Sequence, residues 1–135
     1  MHGERNLERL LASLEPVQRP GTFVFAVVED AAPVGAVVPE ATVREEEGLT
    51  VVLRREDADR LGIAYELVAA WITLRVHSAL DAVGLTAAVS TALADAGLSC
   101  NVIAGYHHDH LLVPADRVVE ALAVLSGLSR GTRPK

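Results

Sequence analysis

The sequence is poor in cysteine, in aromatic residues and in clustered positive charge, and each shortage excludes something. Cys100 is the single cysteine, so no disulfide can form within the chain, and its apolar setting favours a packed, inert thiol. Aromatic residues make up 4% of the chain, and no stripe of Lys and Arg interleaved with aromatics occurs. The 18 acidic and 12 basic residues give a net charge of −6, which argues against nucleic acid as a partner.

Long apolar runs are lacking as well. None approaches the roughly 18 residues that a membrane-spanning helix needs. The first residues, MHGERNLERL, have no apolar centre of the kind found in signal peptides, so we expect a cytoplasmic protein without a membrane partner. Aliphatic residues are abundant, since half of the 135 residues are hydrophobic. This composition predicts an α+β fold, with sheets covered by helices in one compact domain or two small subdomains.

The first half of the chain shows the order α, β, β, β, α. Leucines spaced by three and four residues indicate a short helix before Pro16, and the run TFVFAVV is typical of a buried strand. The glycine of Glu47-Gly48 predicts a tight hairpin turn. The predicted elements are a helix over residues 7–14, a strand over 22–28, a loop over 31–39, hairpin strands over 41–46 and 49–54, and a helix over 55–61 that ends at Gly62.

The second half shows the order β, α, β, β, α. In AWITLRV, residues 70–76, Trp71 and Thr73 alternate with aliphatic residues at the period of a strand. Apolar positions from Leu85 to Ala96 recur at helical spacing, and Gly97 stands where a left-handed cap belongs. Two further strands are predicted over 99–104 and 110–113, and a helix over 116–125. Both halves therefore end in a hairpin followed by a helix, which suggests two similar subdomains.

The segment VHSALDAVGLTAAVSTALADAGLSCNVIAGYHHDHLLVP, from Val76 to Pro114, resembles the ACT domain of allosteric enzymes and amino-acid sensors. The Val-Gly-Leu at the helix start, the Ala-Gly-Leu at its end and a strand Asn carry the resemblance. The first half, with ATVREEEGLTVVL, is similar to the companion segment of a small bacterial family of tandem ACT proteins. The resemblance implies a ferredoxin-like βαββα(β) fold, with a tandem pair of ACT-like subdomains over residues 1–66 and 67–128 and a flexible tail over 129–135.

The resemblance also implies a small-molecule site between the loop after the first strand and the early second strand. At the helix start, orphan N–H groups and the positive end of the helix dipole suit a ligand carboxylate, and Gly84 lets the backbone come close. A turn residue with no ligand role is an equally good interpretation of Gly84. Asn101 lies in a strand, where Asn is disfavoured, and its amide offers both a donor and an acceptor. The site residues implied are His77, Ser78, Asp81, Val83, Gly84, Leu85, Thr86, Asn101, Ile103, Ala104, Tyr106 and His108.

The segment GYHHDH, residues 105–110, offers three histidines and an aspartate that resemble metal ligands. Alternation along a strand lets at most two of these histidines face one side, whereas a zinc site needs three or four ligands. We therefore expect no metal and no cofactor. Surface or packing histidines are the alternative to a ligand-site role for Tyr106 and His108.

We expect a regulatory module that binds a small molecule, in particular an amino acid, and catalyses nothing. A serine, histidine and aspartate are present at Ser78, His77 and Asp81, but no G-x-S-x-G motif surrounds the serine. The alternatives are a structural or oligomerisation domain without a ligand, and a metal-dependent enzyme built on the histidine cluster. A homodimer is a further expectation from the resemblance.

Overall fold

The computed structural model describes residues 6–76 and 84–130. The chain divides into two compact units, a continuous unit of residues 20–70 and a discontinuous unit of residues 1–19 and 71–135. In chain order the helices and strands are α1 (Leu7–Ala12), β1 (Glu15–Gln18), β2 (Phe23–Val28), β3 (Ala41–Glu45), β4 (Gly48–Arg54), α2 (Arg55–Leu61), β5 (Val68–Arg75), α3 (Leu85–Asp95), β6 (Asn101–Ala104), β7 (Asp109–Pro114) and α4 (Val118–Ser129).

The continuous unit is an antiparallel sheet with one helix. β2 pairs with β4 over its full length, from Phe23 opposite Arg54 to Val28 opposite Leu49, and β3 pairs with β4 as a hairpin. The first residues of β5 add a fourth strand beside β2, with Phe23 opposite Ala69. The core uses alternate residues of β2 and β4 and one residue of α2; its members include Val24, Ala26, Val51, Leu53 and Ala58.

The hairpin turn lies one residue earlier than the sequence predicts. Glu45 pairs with Gly48, so Glu46 and Glu47 form the turn and Gly48 begins β4. Gly48 has a φ of 151°, and a Cβ placed on it would lie 2.7 Å from the carbonyl oxygen of Val28. The glycine is therefore required by the close approach of the neighbouring strand β2, a long-range contact that the local sequence does not reveal.

The discontinuous unit has the strand order β1, β5, β7, β6. β1 runs antiparallel to β5, with Glu15 opposite Arg75 and Gln18 opposite Ile72, and β6 runs antiparallel to β7. Ile72 and Leu74 are buried on one face of β5, whereas Trp71, Thr73 and Arg75 share the other. The helices α1, α3 and α4 pack together, and they bury Leu10, Leu93 and Leu125 completely.

The α+β, ferredoxin-like fold predicted from the sequence is confirmed, with mostly antiparallel sheets covered by helices. β1 was not predicted, because Pro16 and Pro20 favoured an irregular segment. α4 continues to Ser129, beyond the predicted end at residue 125. The partition into sequence domains at residues 66 and 67 stays a prediction. No helix in the described part of the chain is long and apolar enough to cross a membrane.

Candidate ligand-binding site

The start of α3 has the features expected for holding an anion. Gly84 is the N-cap residue, with a φ of 102°, and it has no side chain that can cap the first-turn N–H groups. Leu85 is buried and anchors the turn, whereas Thr86 is exposed. A Cβ on Gly84 would lie 3.2 Å from a methyl carbon of Leu7, so α1 approaches this turn closely. Uncapped N–H groups at the positive end of a helix attract a carboxylate.

A groove opens beside this helix start. Its volume is about 380 Å³, which lies within the range of ligand pockets. Most of the lining is aliphatic, with Thr91 and Asp95 as the polar residues among those that line it. α1 and α4 supply the facing side chains. The lining residues are Leu7, Leu11, Gly84, Ala87, Ala88, Thr91, Ala92, Asp95 and Leu128.

The β6–β7 hairpin carries the second group of predicted site residues. Asn101 lies opposite Leu112 and Ile103 lies opposite His110, so these four side chains share one face of the sheet. Ala104 pairs with Asp109 at the end of the hairpin. Asn101 and Ala104 are exposed and Ile103 is half-buried. Asn101 is thus accessible to a ligand or to a partner molecule.

The turn of this hairpin holds Tyr106 and His108. The Gly105 N–H donates to the His108 carbonyl oxygen at 2.9 Å and closes the turn. Tyr106 is 77% exposed and stacks edge-on against His107, with ring centroids 5.0 Å apart. The Nδ1 atom of His108 is buried and has no hydrogen-bond partner among the described residues. Because His107 and His108 lie in a turn, they do not follow the alternation of a strand.

His110, which the sequence analysis did not select, forms a polar cluster with Trp71 and Thr73 in the discontinuous unit. Its Nδ1 lies 3.2 Å from Trp71 Nε1 and 3.0 Å from Thr73 Oγ1. The Trp71 and His110 ring centroids are 5.3 Å apart, and the Arg19 guanidinium lies 4.7 Å from the Trp71 ring centroid. The strand alternation placed Trp71 and Thr73 on one face, but only the pairing of β5 beside β7 shows that His110 joins them.

Burial is the first cause of a lowered pKa at His110. The charges of His108 and Arg19 lower this pKa further, and the Asp109 carboxylate opposes them. At pH 7 the neutral form of His110 is therefore more populated than that of an exposed histidine.

The structure thus places the described site residues in two groups, one at the α3 start and one in the β6–β7 hairpin. Four of the predicted residues, His77, Ser78, Asp81 and Val83, lie outside the described residues. Within residues 6–76 and 84–130, no group of three or more His, Cys, Asp or Glu side chains is arranged to hold a metal ion.

Sequence comparison decides the family. Sequence models of the ACT domain match residues 2–70 and residues 66–127. The chain belongs to the ACT domain family. The two matches follow one another along the chain, so this is a tandem ACT protein, and ACT domains act as regulatory ligand-binding modules.

Solved structures with this fold include one relative at substantial identity. A protein of unknown function from Vibrio cholerae, described as a possible transport protein, is 45% identical with a TM-score of 0.83; the alignment covers 91% of this chain and 95% of that chain. The regulatory subunit of aspartate kinase from Thermus thermophilus is 10% identical with a TM-score of 0.59, over 84% of this chain and 95% of that one. At this identity, the likeness to the aspartate kinase subunit is a likeness of fold alone. A search of curated proteins gives no significant match.

Proposed function

We propose that this tandem ACT protein is a regulatory module that binds an amino acid and catalyses nothing. The observation that carries the proposal is the uncapped start of α3 at Gly84, which opens onto a groove of ligand size. A ligand carboxylate would accept hydrogen bonds from the N–H groups of Leu85 and Thr86, while its side chain would lie along the aliphatic groove. The fold likeness to regulatory subunits of aspartate kinase supports a regulatory role.

The remaining predicted residues extend this proposal. Asn101 would contribute its side-chain amide, and Ile103 and Ala104 would contribute main-chain groups of β6. Tyr106 and His108 would form one wall of the ligand site. His77, Ser78, Asp81 and Val83, which precede α3 in the sequence, are the other residues of the proposed site.

The hydroxyl–imidazole pair of the sheet face supports a role without catalysis. Thr73 and His110 are within hydrogen-bonding distance, as a nucleophile and a general base would be. However, the Trp71 Nε1–H lies 3.2 Å from Nδ1 of His110 and 3.3 Å from Thr73 Oγ1, so it competes with Thr73 for the lone pair that a base would use. This pair is therefore better suited to holding structure than to removing a proton from Thr73.

A homodimer is part of the proposal, because β6 lies at the end of the strand order. Among the described strands β6 pairs with β7, and Val102 on it is 37% exposed. An accessible strand edge of this kind can pair with the same edge of a second copy around a twofold axis. Analytical ultracentrifugation would show a dimer; a monomer at all concentrations up to roughly 1 mM, where even weak association shows, would refute this part of the proposal.

Calorimetric titration with the standard amino acids tests the ligand. At a concentration of about 100 times its Kd, the correct amino acid should add roughly 2.7 kcal/mol to the free energy of unfolding. No heat and no stabilisation with any of them would refute the amino-acid proposal.

Two glycines at opposite ends of α3 provide a matched pair of variants. Gly84→Ala places a Cβ into the helix start, 3.2 Å from Leu7, whereas Gly97→Ala has a similar positive φ, 75°, and nothing within 4 Å. Both substitutions strain the backbone. We expect Gly84→Ala to abolish binding and Gly97→Ala to retain it. Equal affinity in the two variants would place the ligand elsewhere.

A further inference from the structure

The continuous unit carries a groove that the ACT-type site does not use. Its volume is about 770 Å³, which lies within the range of ligand pockets. The residues that line it come from β2, from the β3–β4 hairpin and from the segment before β5. They are Phe25, Ala26, Val27, Glu45, Thr50 and residues 64–67.

The groove exists because β2 continues beyond its pairing with β5. β2 runs to Val28, but its pairing with β5 ends with Val24 opposite Val68. Residues 64–67, which lead into β5, are not part of a strand, and they line the groove from the other side. The gap between this segment and the second half of β2 therefore follows from the register of the strands.

Tyr65 holds the segment of residues 64–67 in place. Its side chain packs against the core of the continuous unit. Its hydroxyl accepts a hydrogen bond from Nε of Arg55 at 3.1 Å and donates one to Oδ1 of Asp59 at 2.7 Å. Both partners belong to α2, so Arg55 is bound on the helix side of this segment. This wall of the groove is therefore formed before a ligand arrives, which lowers the cost of binding.

The floor of the groove is apolar. Val24 and Ala26 belong to the core beneath α2, so alternation along β2 places Phe25 and Val27 on the opposite face of the sheet. Phe25 is half-buried, whereas Val27 is 63% exposed. An aromatic ring and a valine that both reach solvent on one face offer a surface for the apolar part of a ligand.

Two carboxylates flank this floor, from the two sides of β2. Glu45 ends β3, Glu66 belongs to the opposite wall, and both are exposed. The Thr50 hydroxyl donates to the Glu45 carboxylate, which keeps further acceptor positions for a ligand. Among the described residues that line the groove, none carries a positive charge. Together with the net charge of −6, this lining attracts a cation and disfavours an anion.

We propose that this groove is a second binding site, which takes a small organic monocation with an ammonium group on an apolar body. The ammonium group would lie between Glu45 and Glu66, and the body would lie on Phe25 and Val27. A metal ion is disfavoured, because the apolar floor offers it no ligands. In the part of the chain that the structure describes, no group of three or more His, Cys, Asp or Glu is arranged to hold one.

Calorimetric titration tests the proposal with phenethylamine, and phenethyl alcohol serves as the neutral probe with the same body. We expect saturable binding of the amine, at an affinity that falls as sodium chloride is added. The alcohol should bind at least tenfold more weakly. In NMR spectra, saturation with the amine should shift the backbone amides of Val27 and Glu66.

Single substitutions of the two carboxylates test their role. Glu45→Gln and Glu66→Gln should each weaken the binding of phenethylamine roughly threefold, and the double variant about tenfold, as loss of exposed ion pairs predicts. Glu56→Gln is the matched control, because it removes one negative charge from an exposed position of the same unit that does not line the groove. This variant should bind the amine as the unaltered protein does.

Equal affinity for the amine and the alcohol, undiminished affinity in the double variant, or amide shifts confined to residues outside the groove would overturn the proposal. Tighter binding of trilysine than of phenethylamine would also overturn it, because the groove would then be a docking surface for a basic protein segment. All residues of the groove belong to the continuous unit, so Gly84→Ala should leave amine binding unchanged. Failure of this proposal is therefore distinguishable from failure of the proposed function.

Discussion

Removing residues 1–19 is expected to unfold the discontinuous unit, although these residues are distant in sequence from the rest of it. They supply β1, which pairs with β5 over four residues, from Glu15 opposite Arg75 to Gln18 opposite Ile72. They also supply α1, whose Leu10 is fully buried. Truncation would expose the edge of β5 and the side chains that α1 covers.

The burial of three leucines sets the size of the effect. Leu10, Leu11 and Leu14 are each less than 10% exposed, at 0%, 7% and 3%. Burying one leucine contributes roughly 1.5–3 kcal/mol, so the three contribute about 5–9 kcal/mol. This is comparable to the whole stability of a small protein, about 5–15 kcal/mol.

Trp71 in β5 reports the outcome, because it is buried and is the single tryptophan. Its emission should shift to longer wavelength in the truncated chain, and its near-ultraviolet circular dichroism should be lost. Leu10→Ala tests the same packing at one position, at a cost of about 2–5 kcal/mol, and Val119→Ala, at a position 78% exposed, is its control. If the truncated chain kept the emission and the melting transition of the full chain, the assignment of residues 1–19 to this unit would be refuted.

Three further predictions follow from single residues. Gly62→Ala should lower the free energy of unfolding, measured by chemical denaturation, by about 1 kcal/mol. Gly62 ends α2 at a φ of 69°, and a Cβ on it would have nothing within 4 Å, so only backbone strain contributes. An unchanged free energy of unfolding would contradict this. The lowered pKa of His110 means that its contribution to stability is complete above its unfolded value of 6.5 and is lost as the pH falls through the folded value. His110→Gln should therefore weaken the acid dependence of unfolding, and an unchanged acid dependence would contradict this. Burial raises the pKa of the Cys100 thiol, so iodoacetamide should modify it more slowly than a free cysteine at about pH 8, where an exposed thiol is partly ionised; an equal rate would argue that Cys100 is accessible.

Elements with local signals were predictable from the sequence. α2 has the predicted bounds, residues 55–61, because acidic residues mark its start and Gly62 its end. The beginning of α3 at Leu85 is also confirmed. In contrast, β1 is held by pairing with β5, whose residues lie more than fifty positions further along the chain. The four residues of β1 include Pro16 and show no local pattern from which this pairing could be predicted.

The same distinction applies to the candidate site. Gly84 was recognisable because a glycine before an apolar helical repeat is a local signal, and its φ of 102° agrees with that interpretation. His110 was not selected, because its partners Trp71 and Thr73 lie 39 and 37 residues away in the sequence. Only the order of the strands brings them together, and periodicity within one strand contains no information on that order.

The strands of the two units are arranged in the same way, but the segment that α3 occupies in the discontinuous unit is not a helix in the continuous unit. This difference predicts the stoichiometry of binding. The strand order is β5, β2, β4, β3 in the continuous unit and β1, β5, β7, β6 in the discontinuous unit. After β2, the continuous unit has a 3₁₀ turn, Ala32–Val34, which contains Pro33. At the corresponding place, after β5, the discontinuous unit has the 11-residue helix α3.

Three residues with a proline cannot present the array of aligned N–H groups that α3 offers to a carboxylate. Calorimetry should therefore give one amino acid per chain at the helix-start site, and this heat should be lost in Gly84→Ala. Two equivalent amino acids per chain, both retained in that variant, would show that the helix start is not what binds the carboxylate. The binding role would then have to come from a feature that both units share, which is the sheet and not the helix.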